Sequence, residues 1–224
     1  MRLPYRNRQE AGKYLAEHLA AYRDRDDVIV LALPRGGVPI GYEVAKALHA
    51  PLDVFIVRKI GMPGAEEFAI GAIASGGVRL LDEDLIARYG VSRAAVDAVI
   101  AAEERELERR EQQYRGERRL PDLTGKTVIL VDDGLATGST MRAAVAALRR
   151  EGAARIVVGV PVAAPETCQL LEREVDDIVC AVTPQPFHAV GLWYADFSQT
   201  SDGEVHALLE RAPDRSASPP NPRP

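Results

Sequence analysis

Cysteine and tryptophan are scarce in this chain: two Cys and one Trp in 224 residues, with all aromatics together at 5%. Cys168 and Cys180 are too few for a disulfide scaffold and lack the short spacing of a zinc site or redox motif. They read as two reduced core thiols of a cytosolic protein. An excess of basic charge is also missing. Lys and Arg number 28 against 33 Asp and Glu, a net charge of -5, which argues against general nucleic-acid binding but not against a locally basic anion site. No apolar run approaches the length of a membrane span, and no apolar signal core follows the opening Met-Arg-Leu-Pro-Tyr-Arg-Asn-Arg. No internal repeat points to a solenoid. The expectation is a soluble, cytoplasmic protein with no nucleic-acid or membrane partner. A hydrophobic content of 46% supports one proper core, in a single domain over residues 1–211.

What is present alternates between strand and helix. Residues 8–22 have Leu15, Leu19 and Tyr22 on one helical face. The apolar run Val28 to Leu33 is broken by Pro34-Arg-Gly-Gly37, and a helix over Val38 to His49 and a strand over Leu52 to Val57 follow. This order implies a parallel pair with a right-handed crossover. Strand, helix and strand recur at Arg155 to Val162, Pro165 to Arg173 and Asp177 to Val182, which predicts an α/β fold with a mostly parallel sheet covered on both faces. Between these halves, residues 60–80 are rich in Gly. They predict a loop and then a β-hairpin from Phe68 to Ala74 and Val78 to Leu81. Residues 92–118 predict a long charged helix capped by Ser92, with Val96, Ile100, Leu107 and Tyr114 on a narrow stripe. That helix is either a solvated face or a contact for a partner helix. Five prolines and two serines in 212–224 predict a disordered tail.

The segment Val128-Ile-Leu-Val-Asp-Asp-Gly-Leu-Ala-Thr-Gly-Ser-Thr140 carries the most chemistry. A buried parallel strand runs into Asp132 and Asp133 at its carboxyl end, where open α/β sheets bind ligands. Gly134, Leu135, Ala136, Thr137, Gly138, Ser139 and Thr140 then form a largely small-residue loop before a helix. Such a loop lets backbone N–H groups approach a phosphate, helped by the helix N-terminus. This pattern resembles the phosphoribosyl-pyrophosphate (PRPP) signature of type I phosphoribosyltransferases: a hydrophobic strand, two acids, three variable residues, then Thr-Gly-x-Thr/Ser.

The resemblance implies the type I phosphoribosyltransferase fold, with a flexible lid at about 60–80, a helical insertion at about 82–118 and a small C-terminal hood at about 184–200. It also implies transfer of the phosphoribosyl group of PRPP to a nitrogen acceptor, with Mg²⁺. Asp132 and Asp133 would hold the ribose hydroxyls directly or through the metal, and the 134–140 loop the 5-phosphate. Arg35, Gly36 and Gly37, between the first strand and its helix, match the family's pyrophosphate loop, and Arg58 and Lys59 would add cations there. In the hood, Phe187 or Trp193 would stack on the acceptor and Asp196 would face the metal. The loop lacks the acid that 6-oxopurine enzymes place before Thr-Gly, since that position is Ala136. Any general base comes from elsewhere, Glu66 and Glu67 of the lid being the candidates, or two solvated glutamates. A non-catalytic PRPP or nucleotide sensor of the same fold stays open, as does a homodimer.

Overall fold

The computed structural model describes residues 4–213, so the tail expected to be disordered lies almost wholly outside the described residues. Five parallel strands form the central sheet: β1 (Val28–Ala32), β2 (Leu52–Val54), β6 (Thr127–Val131), β7 (Arg155–Val162) and β8 (Asp177–Val182), in the order β2-β1-β6-β7-β8. Every residue of β1 and β6 is buried. Strands of this kind need cover on both faces. Alternate residues of β1 supply two core layers. Val28, Val30 and Ala32 pack with α1 (Arg8–His18) and α2 (Gly37–Leu48), while Ile29 and Leu31 pack with α5 (Ser139–Arg150) and α6 (Pro165–Glu172). The expected α/β architecture is therefore present.

A second, antiparallel sheet is built from β3 (Val57–Met62), β4 (Ala65–Ala74) and β5 (Val78–Leu81). Two sequence expectations are corrected here. The strand expected over 52–57 ends at Val54. Phe55 still donates to Ala32 O at 2.9 Å, but Ile56 turns to Ser75, and the chain crosses into the second sheet. The loop expected from residue 60 is instead the end of β3, a turn at Pro63–Gly64, and β4. Gly61 does not break the strand. It permits close pairing, because a Cβ there would lie 2.4 Å from Glu66 O.

The insertion consists of α3 (Glu83–Arg88) and α4 (Arg93–Arg115). Ser92 caps α4, accepting from Ala95 N–H at 3.3 Å. Val96, Ile100, Leu107 and Tyr114 are buried as the stripe expects, in one core with Ile60, Ile70 and Ile73 of the second sheet and with Val205 and Leu209 of α7 (Asp202–Arg211). The end of α4 is fastened to β2 by Arg115, 3% exposed, which donates to Asp53 at 2.9 Å, to Glu111 at 2.8 Å and to the Val54 carbonyl. A buried guanidinium is tolerated only when its donors are satisfied in this way.

The cysteines depart from the free thiols expected: Cys168 and Cys180 form a disulfide. The parallel β7–α6–β8 crossover lays α6 against β8 and brings the two residues together, which their spacing in sequence does not reveal. Among the described residues no helix is long and apolar enough to cross a membrane.

Candidate active site

β6 delivers the acidic pair at its carboxyl end, and the loop that follows is held from below. Leu135 N–H donates to Val162 O at 2.9 Å, Ala164 N–H to Leu135 O at 2.8 Å, and the Thr167 hydroxyl to Ala136 O at 2.5 Å. Gly138 takes φ +75° at the N-cap of α5, a backbone region where other residues are strained. No side chain caps this 12-residue helix, so its first amides are open to an anion. Thr137, Ser139 and Thr140 surround them, with the Thr137 and Ser139 hydroxyls 3.4 Å apart.

The two acids differ in their partners. Asp132 accepts from Asp133 N–H at 2.8 Å, and burial, followed by the neighbouring Asp133 charge, pushes its pKa well above the usual carboxylate range. Asp133 is also raised by burial, but Arg8 opposes the shift. Arg8 Nε and Nη2 both lie 2.8 Å from Asp133 Oδ2, and the two side chains are only 12% and 16% exposed. Arg8 also donates to Ser198 O at 2.7 Å and lies 4.0 Å from the Phe197 ring centroid. Tyr194 donates its hydroxyl to Asp133 O at 2.5 Å, and burial raises that phenol's pKa. Arg8 and Tyr194 have no local sequence signal for this place. They arrive through a long-range connection in which Tyr5 bridges to Tyr194, and Ala195 and Asp196 N–H donate to the Tyr5 and Arg6 carbonyls.

The Arg35–Gly37 loop packs against the same carboxylates. A Cβ on Gly36 would lie 2.1 Å from Asp133 Oδ2, so only glycine fits. Arg35 lies 3.7 Å from Asp202 at the start of α7. The acidic pair, the 134–140 loop and Arg35–Gly37 are thus brought together. Other candidates are placed elsewhere. Arg58 and Lys59 belong to β3 rather than to the end of a central strand. Arg58 pairs with Glu103 of α4 at 2.5 Å, and Lys59 with Glu67 at 3.3 Å. Glu66 and Glu67 are exposed on the β3–β4 hairpin. In the hood, Val190 packs directly on Gly134. Phe187 and Trp193 pack at the margin of the core that holds α1 and α2. Asp196 is exposed, accepts from Ser198 N–H at 3.0 Å, and is held below the usual carboxylate range chiefly by that bond.

A phosphoribosyl transferase domain model matches residues 6–189, across both loops and the acidic pair. The chain belongs to the phosphoribosyltransferase family. It is 46% identical over 207 residues to a Mycobacterium tuberculosis protein named "putative phosphoribosyl transferase", found in two strains. That match takes in 92% of this chain but only 46% of the relative, so the chain spans about half the length of these curated relatives. A shorter similarity, 44% over 66 residues, is to a uracil phosphoribosyltransferase of a Nocardioides species, covering 29% of this chain and 31% of that protein. Among solved structures, the Thermus thermophilus protein TT1426 superposes with a TM-score of 0.81 at 42% identity, covering 93% of this chain and 98% of that one.

For a phosphoribosyltransferase, the donor set around the acidic pair bears on Mg²⁺. Asp132 and Asp133 are hard oxygen ligands, and a divalent cation would offset the burial that raises both and the Asp133 charge that further raises Asp132. Among the described residues, no group of three or more His, Cys, Asp or Glu side chains surrounds a common point, and Asp196 does not complete one. The two acids fit a cation that brings most of its ligands with the substrate, as Mg²⁺ bound to phosphate oxygens does.

Proposed function

We propose that this protein transfers the 5-phosphoribosyl group of PRPP to a nitrogen nucleophile, a nucleobase being the leading acceptor class, with release of pyrophosphate. The observation that carries the reading is the joint placement of three parts. These are an uncapped α5 N-terminus behind Thr137–Thr140, the carboxylates Asp132 and Asp133, and the Arg35–Gly37 loop against Asp133. They fit a ligand with a phosphate at one end, hydroxyls in the middle and a second anionic group at the other.

In this reading the nitrogen lone pair forms a bond to C1 of the ribose as the bond from C1 to the pyrophosphate oxygen breaks. Pyrophosphate leaves with that electron pair, and the nitrogen loses its proton to a base. No side chain need attack. The α5 amides and the Thr137 and Ser139 hydroxyls hold the 5-phosphate, and Asp132 and Asp133 orient the ribose hydroxyls. Asp133 is fixed by Arg8, and Arg35 with the Gly36–Gly37 backbone receives the leaving group. Mg²⁺, when bound with the donor, supplies charge neutralisation on the phosphates. Ala136 moves no proton, so the base is a lid carboxylate, Glu66 or Glu67, or the acceptor's own environment. Closure of the β3–β4 hairpin over the sugar would exclude water from C1.

A PRPP-dependent pyrophosphate-release assay across purines, pyrimidines and small amines tests this. Release with one acceptor class is expected. PRPP binding with no release for any acceptor would favour the sensor, for which the proton-inert Ala136 speaks.

A further inference from the structure

Resting on the donor reading above, we infer that the diphosphate end of the donor is gripped by the inserted helix α4, through Arg109 and Arg110, rather than by the cations of β3. A cavity of about 440 Å³ opens beside the Arg35–Gly36 loop and Asp133, and α4 forms its opposite wall. Four guanidinium groups line it, from Arg8, Arg35, Arg109 and Arg110, against the two carboxylates of Asp133 and Asp202. Counting Glu106, on which Arg109 and Arg110 rest, four positive charges meet three negative ones, a slight local excess in a chain of net charge -5, beside the loop that fits a leaving group.

The cations expected there from sequence are engaged on the second sheet. Neither lines this cavity: Arg58 lies on Glu103 and 4.0 Å from Glu106, and Lys59 on Glu67. The insertion supplies replacements at the right wall. Both replacements rest on one carboxylate. Arg109 makes a bidentate contact with Glu106 at 2.7 and 3.0 Å, and Arg110 lies 2.8 Å from Glu106 Oε1. These contacts hold the Glu106 carboxyl down at about 2. Arg35 is held more loosely, 3.7 Å from Asp202, which also accepts from the Tyr114 hydroxyl at 2.6 Å. Each guanidinium therefore rests on a carboxylate that a phosphate oxygen can replace, and a planar guanidinium suits bidentate contact with phosphate. The chamber has a built-in counter-ion set, so the arginines stay ordered without ligand, and a diphosphate exchanges one anion for another.

Calorimetric titration of inorganic pyrophosphate and of ribose 5-phosphate, both with Mg²⁺, tests the assignment on the full chain. The double variant Arg109→Ala/Arg110→Ala should lose at least about tenfold in pyrophosphate affinity, the loss expected for charge-assisted contacts. Its ribose 5-phosphate affinity should change by less than about twofold. Glu106→Gln keeps both arginines and removes their competitor, so it should bind pyrophosphate more tightly than the wild type. Equal pyrophosphate affinity in the double variant, a matching loss for ribose 5-phosphate, or unchanged or weaker pyrophosphate binding in Glu106→Gln would each overturn the role of α4. A wild-type protein that binds neither probe would overturn the donor reading itself.

Discussion

Asp133 is charge-balanced by Arg8, and Asp132 is not. A carboxyl raised by burial binds its proton more tightly in the folded state. Its ionisation then costs stability at every pH above its unfolded value, about 3.9. Asp132→Asn removes that cost. With chelator present, it should raise the melting temperature at pH 7 by an amount on the order of 1 kcal/mol, about 2–4 °C at this size. The gain should vanish as pH falls below the ordinary carboxylate range, where the wild-type group is protonated in both states. Asp133→Asn should gain less or lose, because it strands a guanidinium that is only 12% exposed. Melting curves for both variants at pH 7 and pH 3.5 check the order; Asp133→Asn as the more stable variant would contradict it. At this scale the acids, the small-residue loop and Gly36 were legible in sequence as a group, and the close approach to the Asp133 carboxylate is what forces glycine at position 36. Arg8 and Tyr194 were not. An arginine among other arginines near the chain start, and a tyrosine among aromatics, acquire their place only through a long-range bridge between Tyr5 and Tyr194.

Among the elements, the central strands and their helices follow from apolar runs and breakers, and most observed bounds differ by a residue or two. The β3–β4 hairpin departs from the sequence expectation because Gly61, Pro63 and Gly64 look like loop chemistry. Two of these residues make the turn, and the third lets a strand pair tightly. The location of Arg58 and Lys59 changes with it, from the end of a central strand to a separate sheet. Mobility is accordingly expected at the hairpin tip and not throughout. Ile60, Gly61 and Met62 are buried, whereas Pro63 is half-exposed and Gly64 to Phe68 are exposed. In hydrogen exchange, amides of 60–62 should be protected without ligand, and those of 64–68 should exchange quickly and slow with PRPP and Mg²⁺. Strong protection of 64–68 without ligand, unchanged on its addition, would show a fixed wall and remove Glu66 and Glu67 as ligand-gated bases.

At the scale of the whole molecule, distant parts of the chain are tied around the site. The start and the hood meet at Tyr5 and Tyr194, α4 is anchored to β2 by Arg115, and α6 is tied to β8 by Cys168–Cys180. The disulfide closes a loop with a sequence separation of 12. Reduction, or Cys168→Ser with Cys180→Ser, should therefore cost about 2–3 kcal/mol of stability. Because α6 also carries Thr167, which holds Ala136 of the 134–140 loop, the same change should weaken the proposed ribose 5-phosphate binding. Melting and titration with and without dithiothreitol check both effects, and an unchanged melting temperature would remove the disulfide from the account. The pairing was illegible because nothing in two isolated cysteines states that a crossover helix will lie against the next strand.

The central claim is that two loops hold opposite ends of one donor across Asp132 and Asp133. Titration of PRPP and ribose 5-phosphate into Thr137→Ala and Arg35→Ala tests it most directly. Thr137→Ala should weaken both ligands by roughly 1.5–3 kcal/mol, the value of one hydrogen bond to a charged group. Arg35→Ala should weaken PRPP by a similar amount and leave ribose 5-phosphate nearly unchanged. Equal losses for the two ligands in Arg35→Ala would contradict the claim.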